Sequence, residues 1–174
     1  MIRKIVLVGF SFLLIQACTN DPNKLPPEQP YTGPTLVSKN LHVVITDSGK
    51  VRKIMESPLQ QRFANDDEVF PKGLEMKFFE GDSILTTFIK ADSGYFHHDK
   101  NYWTISGNVV VDNAKDHRKL ESDLINWDVE QKKVWTDEKV KITTQDQRIE
   151  GVGMNAADDF SDYEIHFVTG TFAL

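Results

Sequence analysis

The chain has 174 residues, a single cysteine and a net charge of −6. A single cysteine excludes an intrachain disulfide, and the acidic balance argues against nucleic acid as a ligand, because binding to phosphates needs a basic patch. The length suits one domain of ordinary size next to a targeting segment.

The N-terminus has the parts of a bacterial lipoprotein signal peptide. Arg3 and Lys4 precede an apolar stretch at 5–15, which is shorter than the roughly 20 residues that span a bilayer. The segment that ends at the cysteine reads Ile-Gln-Ala-Cys and resembles a lipobox, in which the cysteine sulfur takes up diacylglycerol after cleavage. We predict a signal peptide at 1–17 and lipidation of Cys18. An ordinary secreted protein with a free thiol is the alternative.

The segment after Cys18 is predicted to be a spacer. Five of the seven prolines lie between Thr19 and Pro34, and proline-rich sequence forms a semi-rigid extended chain rather than a core. At about 3.1 Å per residue, the spacer would reach at most roughly 50 Å from the membrane. We predict a lipid-anchored linker at 18–35 and a domain at 36–174.

The domain has the pattern of an all-β protein. Short runs rich in Val, Ile, Thr and aromatic residues alternate with polar residues, and Gly, Asn or Asp separate them. This pattern predicts a sandwich, a barrel or a jelly roll. The predicted strands are 41–46, 51–55, 59–65, 73–80, 84–91, 93–97, 102–111, 119–129, 133–136, 139–144, 147–154 and 162–173.

Part of this pattern repeats with an offset of about 31 positions. The Trp-Thr pair at 103–104 and Val109 align, with one residue of slip, with the pair at 135–136 and Val140. A unit of two strands cannot bury its apolar face alone. We therefore expect the repeats to stack side by side.

The His97-His98-Asp99 run is the most tempting metal site in the sequence. Its counterpart in the second repeat has no histidine, adjacent residues on a strand face opposite sides, and zinc needs about three or four protein ligands. We expect a solvated hairpin tip without a metal. The acidic runs at 66–68 and 158–159 lack the spacing of a calcium loop or a catalytic carboxylate pair, so we expect solvated turns there too.

No motif for a nucleophile or for phosphate binding accompanies the strands. We therefore predict no catalytic residues and no cofactor. A surface lipoprotein hydrolase would need a convergent acid–base group and stays as an alternative.

Six stretches in this order resemble the LptC family, the membrane-anchored periplasmic component of lipopolysaccharide transport. They are IKADSGY (89–95), WTISGNVVV (103–111), KLESD (119–123) with Trp127 behind it, VWTD (134–137), IEGVGM (149–154) and VTGTF (168–172).

The resemblance implies an open, V-shaped antiparallel β-jelly roll of the OstA/LptA type, which accepts the acyl chains of lipopolysaccharide. It implies two partners, an inner-membrane ABC transporter of the LptB, LptF and LptG type and a periplasmic LptA-type bridge protein. The expected location is the periplasmic face of the inner membrane. The family's usual anchor is a transmembrane helix, and here the lipid on Cys18 would replace it. A structural β-module lipoprotein that binds only protein is the alternative function.

Strand alternation predicts which residues line the groove. The 11 Phe, 4 Tyr and 3 Trp favour a broad apolar groove, although a dry core would explain each residue singly. The predicted lipid-binding residues are Phe70, Leu74, Met76, Phe78, Ile125, Trp127, Val129, Tyr163, Ile165 and Phe167.

The C-terminal strand is the predicted partner-binding site. Residues 168–174 contain no charge and no proline, as expected of an edge that pairs with another chain, with pairing inside the fold as the alternative. Two glycines in the preceding strand predict a bulge or a close backbone approach, or else a turn. The predicted partner-binding residues are Gly151, Gly153, Val168, Thr169, Gly170, Thr171 and Phe172.

Overall fold

The structure is a computed structural model that describes residues 30–81, 84–159 and 162–173. The predicted signal peptide, Cys18 and most of the predicted linker lie outside these residues. One compact unit spans Thr32–Leu174, and it already includes the end of the predicted linker, because the Thr35 amide donates a hydrogen bond to the Arg62 carbonyl at 2.7 Å. The described ranges contain no helix that could cross a bilayer.

Eleven antiparallel strands in the described residues form one sheet, which confirms the all-β jelly-roll prediction. The strands are β1 (Leu36–Asp47), β2 (Lys50–Arg62), β3 (Glu68–Phe70), β4 (Leu74–Glu80), β5 (Ile84–Ala91), β6 (Ser93–His97), β7 (Tyr102–Asn113), β8 (Arg118–Asp128), β9 (Lys133–Thr143), β10 (Gln147–Ala157) and β11 (Tyr163–Ala173).

The sheet folds over along a kink line that crosses the long strands. The first half of β7 pairs with β6 and its second half pairs with β5, and the change occurs at Gly107 and Asn108, both at positive φ (79° and 47°). The register shifts at the matching place in β8, β9 and β10. The two halves of each long strand therefore belong to two arms of a V: the first arm contains β4 and β5, and the second contains β3 and β6, while β1 pairs with β2 along both arms.

Buried hydroxyl groups stabilise the kink line. The single O–H of Ser122 is within hydrogen-bond distance of the carbonyls of Leu124 (3.0 Å) and Lys139 (2.8 Å), and that of Ser57 is within reach of the carbonyls of Leu59 (3.0 Å) and Gly73 (2.7 Å), so each proton is shared between two acceptors. These bonds satisfy carbonyls that an interrupted strand ladder would leave without a donor.

The strands differ from the prediction in three places, and pairing with neighbouring strands explains the differences. The predicted strands 51–55 and 59–65 are one strand, β2, which continues through Pro58. Its neighbour changes there from β4 to β3, so the missing N–H of proline leaves no gap in a ladder. The predicted strands 133–136 and 139–144 are likewise one strand, β9, with a bulge. The short strand β3 was not predicted at all.

The core is built from cross-strand rows of inward-facing side chains. In the first arm one row contains Val43, Met55, Met76, Ile89, Val111, Leu120 and Ile142. In the second arm another contains Phe96, Trp103, Trp127, Val134, Ala156 and Tyr163. Every member is buried or packed against the buried core, and this burial supplies the main stabilisation of the fold.

Both ends of the sheet are open. Within the described residues β1 pairs only with β2, and β11 pairs only with β10. Each of these two edge strands carries large apolar side chains that are 45% or more exposed. Soluble monomers usually protect such edges with charges or proline.

Candidate lipid-binding groove

The two arms of the V face each other across a cavity. The ring of Phe78 on β4 meets the ring of Trp127 on β8 edge to face, with centroids 5.7 Å apart. The cavity beside this contact has a volume of about 450 Å³, within the range of small-molecule sites. Its apolar lining consists of Phe78, Ile89, Val111, Ile125, Trp127 and Val134.

The mouth of the cavity is polar. Glu80, Lys115, Asp116 and Asp158 lie around it, and the Lys115 amine is 3.5 Å from the Glu80 carboxylate. At one side Asn113 donates a hydrogen bond to the carbonyl of Asp159 at 2.9 Å, which connects the turn after β7 to the turn after β10. An apolar interior beneath a charged rim suits an amphiphile, whose tail and head need these two environments.

The ten predicted groove residues occupy three different environments. Phe78, Ile125 and Trp127 line the cavity. Five others pack in or against the core: Phe70, Leu74, Met76, Tyr163 and Ile165. The remaining two, Val129 and Phe167, are 39% and 71% exposed and lie outside the enclosed interior.

The interior also holds a lysine that the sequence analysis did not select. The Lys53 amine lies 5.4 Å from the ring centroid of Phe78, 5.6 Å from that of Trp103 and 5.7 Å from that of Trp127. Burial lowers the pKa of Lys53 because a low-dielectric surrounding disfavours the charged form. The sequence signal was its position two residues before the buried Met55, on the inward face of β2.

The predicted partner-binding residues all lie in β10 and β11. Gly151 and Gly153 are inside β10, so the alternative of a turn was wrong. A Cβ on Gly151 would come within 2.7 Å of the Phe167 carbonyl oxygen, and Gly153 has a φ of +73° at a register shift. Five more of these residues lie on the edge strand: Val168, Thr169, Gly170, Thr171 and Phe172. Of these, Val168 is 59% and Phe172 46% exposed.

The second side of β11 has no partner strand in the described chain. The guanidinium of Arg148 lies 4.9 Å from the centroid of the Phe172 ring and covers part of it. The rest of the edge leaves its backbone groups available to another strand, which is the arrangement that β-augmentation uses.

The histidine run is part of a packed outer surface. His97 is the last residue of β6, and its ring lies 4.3 Å from that of Tyr95 and 4.2 Å from that of Tyr102. Burial lowers the pKa of His97. The expectation of a solvated tip was therefore wrong for this residue. No group of three or more possible metal ligands occurs among the described residues.

The expectation of a solvated acidic turn at 66–68 was wrong for Asp67. Its side chain accepts hydrogen bonds from the Tyr95 hydroxyl (2.5 Å), the Asn65 amide (2.7 Å) and the His98 backbone N–H (2.9 Å), and the residue is only 8% exposed. The bond from Tyr95 lowers the pKa of Asp67, and the same bond raises the pKa of Tyr95 to about 12. This cluster fixes the turn before β3.

Comparison with known proteins gives one family. The model of the LptC-related lipopolysaccharide-assembly family matches residues 4–169, and a search of curated proteins finds no match. The family serves lipopolysaccharide export and is associated with the periplasm and the inner membrane. Its members are components of a transport bridge. On a match over nearly its whole length, this chain belongs to the LptC-related lipopolysaccharide-assembly family.

Proposed function

We propose that the protein receives lipopolysaccharide from an inner-membrane ABC transporter of the LptB, LptF and LptG type and passes it to an LptA-type bridge protein in the periplasm. The observation that carries this proposal is the cavity between the arms, apolar inside and charged at the mouth. The acyl chains would occupy the interior while the sugars stay in water.

Transfer in this scheme needs no chemical step. Each buried methylene contributes about 0.8 kcal/mol, so a chain that slides from one apolar trough to the next loses and regains similar amounts. The net free energy must come from elsewhere. ATP hydrolysis by the transporter would supply it, and this domain would be a passive section of the route.

The two open edges support a position between two partners. The edge of β11 would pair with the LptA-type protein, and the opposite end, where β1 has its free edge, would face the periplasmic part of the transporter. Main-chain pairing would join the troughs end to end. Attachment through a lipid on Cys18 would hold the chain at the periplasmic face of the inner membrane.

Site-specific photo-crosslinking in growing cells tests lipid passage. Neighbouring residues on β4 supply a matched pair: Phe78 lines the cavity, whereas the Lys77 amine is on the other face, 3.1 Å from Glu56. A photoreactive residue at 78 should form adducts with lipopolysaccharide, and one at 77 should not.

Equal labelling at both positions, or none at 78 while the protein is folded and in the membrane fraction, would contradict lipid passage. Absence of lipid adducts together with intact capture of the bridge protein would favour a structural β-module that binds only protein.

A double substitution tests the β11 edge. Thr171→Pro removes a ladder donor, and Ala173→Lys places a charge on the edge. Pull-down of the LptA-type protein should weaken while lipid adducts at 78 persist. Unchanged pull-down would contradict pairing through β11.

A further inference from the structure

The cavity between the arms extends along only part of the trough. Its lining comes from β4, β5, β7, β8, β9 and the turns beside them. Among the described residues, none from β1, β2, β3 or β6 borders it. The sheet that encloses the trough begins at β1 and ends at β11. A chain that moves from the β1 end to the β11 end must therefore pass a part of the interior that the cavity does not reach.

Packed aromatic side chains fill the interior on the β2 side of the cavity. Phe70 on β3 is fully buried, and its ring lies 5.4 Å from that of Trp103 on β7. The ring of Phe96 on β6 lies 5.0 Å from the Trp103 ring, and Met55 on β2 is 9% exposed. Close-packed interiors have few voids larger than a water molecule. An acyl chain can enter this part only by displacing side chains.

Phe78 and Trp127 lie at the boundary between the packed part and the cavity. Both residues line the cavity. Their rings meet edge to face with centroids 5.7 Å apart, and this contact reaches from β4 in the first arm to β8 in the second. Because β4 lies between β2 and β5, the contact closes the cavity on its β2 side.

Lys53 strengthens this contact from the β2 side. It is the strand partner of Phe78 in the ladder between β2 and β4, and it does not line the cavity. Its amine lies 5.4 Å from the ring centroid of Phe78, 5.6 Å from that of Trp103 and 5.7 Å from that of Trp127. An ammonium is attracted to the faces of aromatic rings, so Lys53 connects the Phe78–Trp127 contact to the packed part behind it.

The cavity provides the space that opening of this contact needs. A phenylalanine side chain changes position by rotation between staggered torsion angles, and the volume of about 450 Å³ beside Phe78 is large enough to receive its ring. On the β2 side the neighbouring rings are already in contact. Rotation of Phe78 toward the cavity therefore opens the contact without any change in the backbone.

We propose that Phe78, Trp127 and Lys53 form an aromatic gate, which separates the β2 end of the trough from the cavity and opens by side-chain rotation when an acyl chain passes. The proposal rests on the proposed lipid transfer and adds a barrier to it. A chain that has reached the cavity is retained there, because its return requires the gate to open again.

Photo-crosslinking on both sides of the aromatic gate tests the proposal, with the full mature chain in detergent and purified lipopolysaccharide as the probe. One reporter position is Val134, which lines the cavity. The other is Val43 on β1, which packs against the core on the β2 side. Wild type should form adducts at 134 and few at 43. Phe78→Ala should raise the adducts at 43 by about tenfold, because a factor of ten corresponds to about 1.4 kcal/mol, the size of one aromatic contact, and should leave those at 134 unchanged.

Two further variants separate the gate from the loss of any ring and from misfolding. Phe88 on β5 is the strand partner of Lys77 and lies on the outer face, so Phe88→Ala should leave both reporters unchanged. Lys53→Met keeps an apolar stem but removes the ammonium that attracts the three rings. It should raise the adducts at 43 several-fold, which gives a second measurement if Phe78→Ala fails to fold.

The possible outcomes separate the gate from lipid transfer. If adducts at 43 do not rise in the folded variants at 78 and 53, or rise equally in Phe88→Ala, the gate is wrong. Strong adducts at 43 in wild type that no variant increases also overturn the gate. Lipid transfer still stands in these cases as long as 134 is labelled. A folded wild-type chain without adducts at 134 overturns lipid transfer and the gate together.

Discussion

Gly151→Ala should weaken the pairing of the edge strand β11 with β10. The φ of Gly151 is outside the left-handed region, so the backbone itself would accept alanine, but the added Cβ would lie 2.7 Å from the carbonyl oxygen of Phe167 and also against Ile165. Overpacking of this kind costs about 1–3 kcal/mol. The reduced entropy of the unfolded chain returns about 0.4–1 kcal/mol. The net loss should be about 1–2 kcal/mol.

Urea unfolding with amide hydrogen exchange measures this effect. The unfolding midpoint should fall by roughly 0.5–1 M for a typical urea dependence of about 2 kcal/mol per M. Exchange should accelerate selectively at the β11 amides, because the contact that yields is between β10 and β11. An edge strand that opens locally exchanges without global unfolding.

Gly49→Ala is the matched control. Gly49 has a φ of +76° with no atom within 4 Å of an added Cβ, so alanine should cost about 1–2 kcal/mol through the backbone alone. Protection of β11 should then fall only as far as global stability does. If Gly151→Ala keeps wild-type stability and wild-type exchange in β11, the close approach is not what requires glycine.

Three further predictions concern the outer surface and the anchor. His97→Ala should destabilise the fold by about 1–2 kcal/mol in urea, because it removes two ring contacts worth about 0.5–1.5 kcal/mol each. His98→Ala removes one more distant ring contact, with Phe96 at 6.3 Å, and should cost only about 0.5 kcal/mol. Equal effects would contradict the stack. The pKa of Tyr95 is raised from 10.0 to about 12, so its bond to Asp67 should stabilise the fold fully below pH 10 and be lost as the pH rises through 12. In a pH series of unfolding midpoints, Tyr95→Phe should abolish this loss of stability at alkaline pH. If the loss persists in the variant, another group causes it. Cys18→Ser should accumulate an uncleaved or mislocalised precursor on immunoblots of cell fractions, and normal processing with salt-resistant membrane association would contradict lipidation.

The regular strands could be predicted because alternation alone specifies them. The predicted strands 84–91 and 93–97 coincide with β5 and β6. Prediction failed where pairing with strands distant in the sequence outweighs the preferences of the local residues. Pro58 normally ends a strand, and only the change of its neighbour from β4 to β3 shows that no donor is required there. The short β3 depends on the pairing of three residues with distant strands.

The groove could be predicted only in part for a related reason. Alternation correctly indicates that Phe78 and Trp127 face inward, but it does not show where a strand ends, so Val129, which follows the end of β8, was selected with them. A prediction from alternation also assumes that a lysine side chain faces solvent. Lys53 occupies an inward position because its strand partner is Phe78, and that pairing is a long-range property of the fold.

The strands that cross the kink line connect the two arms rigidly. At least five long strands (β2, β7, β8, β9 and β10) cross it as continuous chain, so continuous strands, and not a flexible linker, connect the two arms. Widening the trough would require Gly107, Asn108 and Gly153, all at positive φ, to change their backbone angles together with their neighbours' hydrogen bonds. Such a trough should keep a nearly constant width as cargo moves through it. Variation in cargo size must then be accommodated at the edges of the sheet, where β1 and β11 each have one neighbouring strand within the part of the chain that the structure describes.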